Sequence, residues 1–334
     1  MISSIPLSAT LLAALSLTAP ALAGPLASPK RGLVFTPNNT TPEDDKIWVQ
    51  SPSSLTWYYN YGESPSAVFD EVPQSKFEFV PMMWGVSPDT SNITFLNTVK
   101  SLIKDKGINI THALSFNEPD LSWEYGGSNV DPESAAQAYV KNFIPLRKMG
   151  VKVGLPACAG HPEGLVWLQD FLDKCSAILS EGGSKKNCSY DFVPFHWYGN
   201  FEGLASHMGS YSAVFPKDKF WITEYNINNQ DLGSTQDFYN MSAEYFDRLE
   251  FVERYSLFGA FRSDVSNVGA NAAMLNRDGN LTDIGAWYLG RPGTGVDPLS
   301  GAGKSKSAAL RLGLPQLGSV WLGTVVAAAV LLGA

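Results

Sequence analysis

The chain has 334 residues, and its 24 Lys and Arg against 32 Asp and Glu leave a formal charge of −8. No basic cluster breaks that balance, which argues against nucleic acid as a partner. Three cysteines without CxxC spacing exclude the usual structural zinc site, and four scattered histidines without HExxH exclude a zincin-type hydrolase. Aromatic residues make up 12% of the chain, and several fall at expected strand ends, a distribution suited to a flat, ring-shaped ligand rather than an ionic one.

Both ends read as processing signals. An apolar run over 9–19, followed by Ala21-Leu22-Ala23 before Gly24, has the pattern of a secretory signal peptide over 1–23. It is too short to span a bilayer. The far end is apolar from Leu317 to Ala334 and follows Ser300-Gly301-Ala302-Gly303 and the polar Lys304-Ser305-Lys306-Ser307. Small residues, a polar spacer and an apolar tail form the pattern of a GPI-attachment signal, with 291–307 as stalk and 308–334 as the removed tail. A terminal transmembrane helix is the plainer alternative, but no polar segment follows the apolar run. Sequons at Asn38, Asn39, Asn92, Asn109, Asn187, Asn240 and Asn280 agree with a secreted or cell-surface protein whose only membrane contact is the anchor. In an oxidising compartment Cys175 and Cys188 are spaced to pair across a Gly/Ser/Lys loop, leaving Cys158 free.

Between the two signals, strand-like and helix-like segments alternate. Strands are expected at 32–35, 55–60, 77–84, 112–120, 151–156, 190–197, 219–224 and 255–261. Thr41-Pro42-Glu43 has the order of a helix start. Helices follow at 93–106, stopped by Gly107, and after Asp131-Pro132-Glu133, where Ala136, Tyr139, Val140 and Phe143 share a face and Pro145 introduces a kink. Further helices read at 164–179, 235–253 and 283–289. Eight strands alternating with helices over 24–290 give one α/β domain, a single (β/α)8 TIM barrel of the usual size, expected to act as a monomer. No internal repeat occurs.

Two strands share a design. His112-Ala113-Leu114-Ser115-Phe116-Asn117-Glu118-Pro119-Asp120 and Phe220-Trp221-Ile222-Thr223-Glu224-Tyr225-Asn226 each deliver one glutamate at the C-terminal end, where barrel active sites lie. Strands four and seven face each other across a narrow interior, so the carboxyls can approach to about 5–5.5 Å, the spacing of a retaining glycosidase pair. A solvated loop glutamate is the plain alternative for either one, and the repeated context argues against it.

The ordered set Arg31-Gly32-Leu33, Trp57-Tyr58-Tyr59-Asn60, Phe79-Val80-Pro81-Met82-Met83-Trp84-Gly85, Phe116-Asn117-Glu118-Pro119-Asp120, Phe195-His196-Trp197-Tyr198-Gly199 and Trp221-Ile222-Thr223-Glu224-Tyr225 resembles glycoside hydrolase family 128 over about 31–290. These are fungal hydrolases related to the alkali-sensitive linkage protein. The resemblance implies a retaining-glycosidase type β-1,3-glucanase, with Glu118 as acid/base and Glu224 as nucleophile. It implies Asn117 on the sugar 2-hydroxyl or the nucleophile, and Tyr198 beside the nucleophile. His196 and Trp197 precede Tyr198 in alternating directions, so only some of the three can face the pocket, and His196 reads equally as a satisfied core histidine. Tyr58, Tyr59, Asn60, Trp84, Trp123 and Tyr125 are candidates for sugar contacts, core packing being the alternative for each aromatic. Trp221, inside a strand, reads as core. Many relatives in the wider clan carry a Trp at the end of strand eight, where this chain has Tyr255-Ser256-Leu257-Phe258-Gly259-Ala260-Phe261. The substrate implied is β-1,3-glucan or its oligosaccharides, and the mechanism needs no cofactor and no metal. A glucan-binding wall protein on the same barrel is the rival from another class.

Overall fold

The computed structural model describes residues 28–302. The expected signal peptide and nearly all of the expected attachment signal lie outside them. Eight strands occur in chain order: β1 Gly32–Val34, β2 Trp57–Tyr59, β3 Glu78–Phe79, β4 His112–Ala113, β5 Lys152–Val153, β6 Val193–Tyr198, β7 Phe220–Asn226 and β8 Val252–Leu257. They pair in parallel as three sheets, β1-β2-β3, β4-β5 and β6-β7-β8. Single parallel bridges at Arg31–Tyr255, Met82–Leu114 and Gly154–Phe192 join the sheets in turn. The arrangement is TIM-barrel-like, its strands being shorter than the sequence pattern implies and its ladders confined to the three sheets among the described residues.

Period-two alternation assigns each strand residue to one of two apolar clusters. Leu33, Tyr58, Phe79, Val153, Phe195, Ile222, Tyr225 and Tyr255 face outward and join the large cluster under the helices. Val34, Trp57, Tyr59, Val80, Leu114, Phe192 and Trp221 form a separate inner cluster, so Trp221 is core as expected.

Six α-helices follow β3 to β8: α1 Thr94–Lys104, α2 Pro132–Lys148, α3 Pro162–Ser180, α4 Phe201–Val214, α5 Leu232–Arg248 and α6 Asp283–Tyr288. Asp131 caps α2 by accepting from the Ser134 N–H, and Pro132 occupies its first turn. α4 is absent from the sequence-based assignment. Its glycines and serines weaken the apolar stripe, yet Asn200 caps it through the Gly203 N–H, and Leu204, Met208 and Tyr211 fall on one buried face. After β1 and β2 the chain makes short 3-10 turns, Asp44–Val49 and Ala67–Phe69. The helix start read at Thr41 is therefore a tethered turn. Asp44 accepts from the Thr41 hydroxyl at 2.7 Å and from Arg262 Nε at 2.6 Å.

Part of the expected stalk is also tethered. Thr294 N–H donates to Asp283 at 2.7 Å, Arg291 Nε donates to Pro52 O at 2.7 Å, and Ser263 Oγ donates to Pro298 O. Residues 291–302 thus run against the domain rather than away from it.

Cys175 and Cys188 are disulfide-bonded, tying α3 to the segment before β6, and Cys158 is free and buried. The N-terminal ends of the strands carry a charged floor. Arg254 lies over the Trp221 ring at 4.4 Å and donates to Glu78 at 2.6 Å, while His112 Nδ1 meets the other Glu78 oxygen at 2.9 Å. Burial pushes the Glu78 carboxyl up, but the His112 hydrogen bond and the Arg254 charge outweigh it and hold the group at about 2.

Two outcomes are expected. Replacing both Cys175 and Cys188 by Ser opens a 13-residue loop and lowers stability by about 3 kcal/mol, read as a shifted guanidinium midpoint with unchanged slope. Glu78 has a depressed folded pKa, so its stabilisation is complete above its ordinary value of 4.5 and is lost as pH falls towards about 2. Glu78→Gln should flatten the acid limb of a stability–pH curve in that window; an unaltered limb would refute the role of the floor.

Candidate active site

Three features of the strands build the site at their C-terminal ends. On β6, Phe195 and Trp197 point outward, so His196 and Tyr198 point inward. On β7 the pairing shifts, with Phe195 opposite Ile222 but His196 opposite Glu224. Thr223 is the extra residue of a β-bulge, which turns both Thr223 and Glu224 towards the interior before Tyr225 resumes the outward direction. Beyond β4, the Asn117 N–H donates to Trp84 O at 2.9 Å and the Glu118 N–H to Ala157 O at 2.7 Å. Glu118 has φ +40°, in the left-handed region.

The two glutamates meet around His196. Its Nδ1 lies 2.8 Å from Glu118 Oε1 and 3.6 Å from Glu224 Oε2, and its Nε2 is 3.0 Å from the Thr223 hydroxyl. One oxygen from each carboxyl and one imidazole nitrogen all fall within 4.8 Å of one another, and all three side chains are buried. Glu224 accepts from the Tyr61 phenol at 2.6 Å on Oε1 and from the Tyr198 phenol at 2.7 Å on Oε2, while the Tyr59 hydroxyl lies between Thr223 O at 3.0 Å and Glu224 Oε1 at 3.3 Å.

Burial pushes Glu118 above the ordinary carboxyl value; the His196 hydrogen bond and charge oppose this, and the nearby Glu224 and Asp120 charges add to it. Burial alone would lower His196, yet the Glu224 and Glu118 carboxylates outweigh it and raise its pKa. Both groups are thus raised beside Glu224, whose oxygens accept from hydroxyls. Burial first, and Glu224 second, push Tyr59, Tyr61 and Tyr198 well above the usual phenol value, so all three remain donors.

Glu118, His196 and Glu224 are also the residue types of a metal site. Both Glu224 oxygens accept from phenols, and both His196 nitrogens have partners. A cation there would face the O–H groups now aimed at Glu224.

The other sequence candidates divide. Asn117 is buried beside Glu118, and its Oδ1 has no hydrogen-bond partner; neither does the buried Trp84 Nε1. Trp84 packs on the inner cluster with Tyr198 and Phe261. Tyr59 faces inward onto Glu224. Tyr58 does not, because alternation sends its ring outward among Phe69, Phe77 and Phe79. Trp197 likewise lies outside, its ring tilted against His207 at 5.2 Å and its indole N–H on Asn200 O. Asn60 serves its own turn, donating to Ser64 O and accepting from the Gly62 N–H. Trp123 and Tyr125 stand in the loop after Glu118, with exposures of 70% and 43%. Tyr61 and Thr223 escape the sequence reading. Carrying the Trp57, Tyr59 alternation one step further finds Tyr61; the strand was ended at Asn60, and Tyr61 itself turns the chain with φ +59°.

The glycosyl hydrolase catalytic core profile matches residues 32–288. The chain belongs to that family. Alkali-sensitive linkage protein 1 of Schizosaccharomyces pombe is 29% identical over 272 residues, covering 78% of this chain and 44% of that protein, so the chain spans less than half of its curated relative. Among solved structures, a curdlan-specific exo-β-1,3-glucanase of family 128 from Blastomyces gilchristii is 25% identical, covering 79% of this chain and 99% of that one with TM-score 0.59. An endo-β-1,3-glucanase from Sorangium cellulosum is 21% identical over 79% and 99% of the two chains, with TM-score 0.62. An oligosaccharide-binding family 128 protein from Trichoderma gamsii is 20% identical over 78% and 92%, with TM-score 0.54. The resemblance to family 128 read from the motifs holds.

Tyr61→Phe removes the shortest hydrogen bond to Glu224 and no packing volume. Hydrolysis should fall by about 10- to 100-fold, as for loss of one charge-assisted hydrogen bond, with thermal unfolding unchanged. A fully active variant would show that this phenol is dispensable.

Proposed function

We propose that this glycosyl hydrolase is a retaining endo-β-1,3-glucanase in which Glu224 attacks the sugar carbon and Glu118 protonates the leaving oxygen. The observation that carries the reading is that one oxygen of Glu118 lies within 4.8 Å of one oxygen of Glu224, with His196 Nδ1 near both. Inverting pairs stand about 6.5–9.5 Å apart to admit a water, whereas retaining pairs stand at about 5–5.5 Å. The surroundings of the two acids support the same roles. The Tyr61 and Tyr198 hydroxyls hold the Glu224 carboxyl in place for attack, and burial raises Glu118 above the ordinary carboxyl range, which suits an acid. As the covalent intermediate forms, the negative charge beside Glu118 is consumed, its pKa falls, and it becomes the base that activates the hydrolytic water. The unpartnered Asn117 Oδ1 beside Glu118 supports a polar contact to substrate. An exposed aromatic loop after Glu118 supports endo action on a chain that continues past the cleavage point.

The eight strands are proposed to close as a full (β/α)8 barrel. Secretion, a GPI anchor and work on cell-wall glucan are proposed from the terminal patterns and the sequons, and the Cys175–Cys188 bond supports an oxidising compartment. The rival reading, a glucan-binding protein, has a specific basis in the oligosaccharide-binding relative.

The test is incubation with laminarin and linear β-1,3-glucan, following reducing ends, product sizes and the anomer released first. Internal cuts giving β-anomers are expected. Glu224→Gln should abolish turnover while still binding laminari-oligosaccharides. Glu118→Ala should lose most of its kcat/KM on unactivated oligosaccharides and little on activated aryl glycosides, which need no proton. In the wild type, kcat/KM should fall as pH rises through the raised Glu118 pKa. Tight binding without products would favour the glucan-binding reading.

A further inference from the structure

Asp120 closes the motif that delivers Glu118, yet no step of the proposed reaction uses it. Its side chain is 3% exposed, and it points away from the cleft into the seam between the end of β5 and α3. Oδ1 accepts from the Ala159 N–H at 3.1 Å, and Oδ2 lies 3.2 Å from His161 Nε2. His161 in turn meets Glu163 at 3.2 Å. A Cβ placed on Gly164 would come within 2.8 Å of Asp120 Oδ2, so this glycine in the first turn of α3 makes room for the carboxylate.

Glu118 has a backbone conformation that non-glycine residues avoid, so its surroundings must over-determine it. The restraint comes from both sides. The Glu118 N–H is fixed to Ala157 O, and two residues later the Asp120 side chain is fixed to the Ala159 N–H. These two rungs on one segment bracket the strained residue. On the loop's far side, Leu121 N–H donates to Glu118 O and Val130 N–H to Pro119 O, but these tie the loop only to itself.

We propose that Asp120, clamped to the Ala159 N–H, is a positioning residue that holds the left-handed turn at Glu118 and so aims its carboxyl at His196 and the leaving oxygen. This rests on the acid role proposed for Glu118. The titratable groups around Asp120 are Cys158 and His161 on the β5 side, His196 on β6, Tyr211 on α4 and Glu118 itself. Asp120 also adds negative charge near Glu118, which disfavours ionisation of the acid.

The experiment compares the full-length protein with Asp120→Ala, Asp120→Asn and Gly164→Ala. The substrates are an unactivated laminari-oligosaccharide and a dinitrophenyl laminaribioside. Asp120→Ala should lose about 100-fold in kcat/KM on the oligosaccharide, the size of loss that a small misplacement produces, and less than about threefold on the aryl substrate. Asp120→Asn keeps the Ala159 acceptor and should retain most of the rate. It removes the charge, so the basic limb of its kcat/KM profile should move to lower pH by up to about one unit. Gly164→Ala, which alters no charge, should mimic Asp120→Ala if the wedge displaces the clamp. Equal losses on both substrates, or none, would overturn the proposal. A crystal structure of Asp120→Ala judges the clamp without turnover, since Glu118 still at its left-handed φ overturns it and a relaxed φ supports it. Absence of turnover by the wild type on both substrates counts against the glucanase reading alone, and the crystal structure then decides the clamp.

Discussion

Two carboxyl groups buried within 4.8 Å of each other are the constraint around which this domain is arranged. In an environment of effective dielectric about 20, two unit charges some 4 Å apart repel by about 4 kcal/mol, and burial adds the loss of water around each. The repulsion is met in two unlike ways. His196 stands between the acids with its Nδ1 on Glu118, while phenols supply Glu224 with the donors that water would otherwise provide. The two acids thus have unlike partners, an imidazole for one and hydroxyls for the other.

That arrangement dictates the backbone beneath it. His196 can reach both acids only if Glu224 lies directly opposite it, and the bulge at Thr223 makes this so while leaving a hydroxyl to fix the far imidazole nitrogen. A regular β7 would carry Thr223 inward and turn Glu224 towards the helices. The floor solves a different problem. There, Glu78 pairs with His112 and Arg254 at the opposite ends of the strands, and Arg254 packs on Trp57 and Trp221. At the floor the carboxylate meets a cation directly, whereas at the mouth two carboxyl groups converge on one imidazole.

The sequence made the outline of this legible for physical reasons. Alternation with capped helices gave the eight strands, and the repeated strand-end glutamate gave the pair that the fold brings together. Two of the failures obey period two, and the others fall where it meets an irregularity. Tyr58 and Trp197 are aromatic, near strand ends and inside family motifs, yet parity sends both to the helix side. His196, adjacent to Trp197, is sent inward by the same rule. Tyr61 lies past a strand end that reads as Asn60, and its positive φ brings the phenol back over the pocket. Neither the Thr223 bulge nor the tethering of 291–302 has a local signature, because each depends on partners far away in the chain.

The end of β8 follows the same logic of neighbours. Phe258 there is buried and meets the Tyr198 ring edge-on at 5.8 Å and Phe261 at 5.4 Å. A phenyl ring of that size leaves Tyr198 upright, with its hydroxyl on Glu224 Oε2. A larger indole would compete for the space that the phenol occupies. The residue that shapes this wall therefore also orients a donor to Glu224, so the wall cannot be enlarged without disturbing the hydrogen bonds at the mouth.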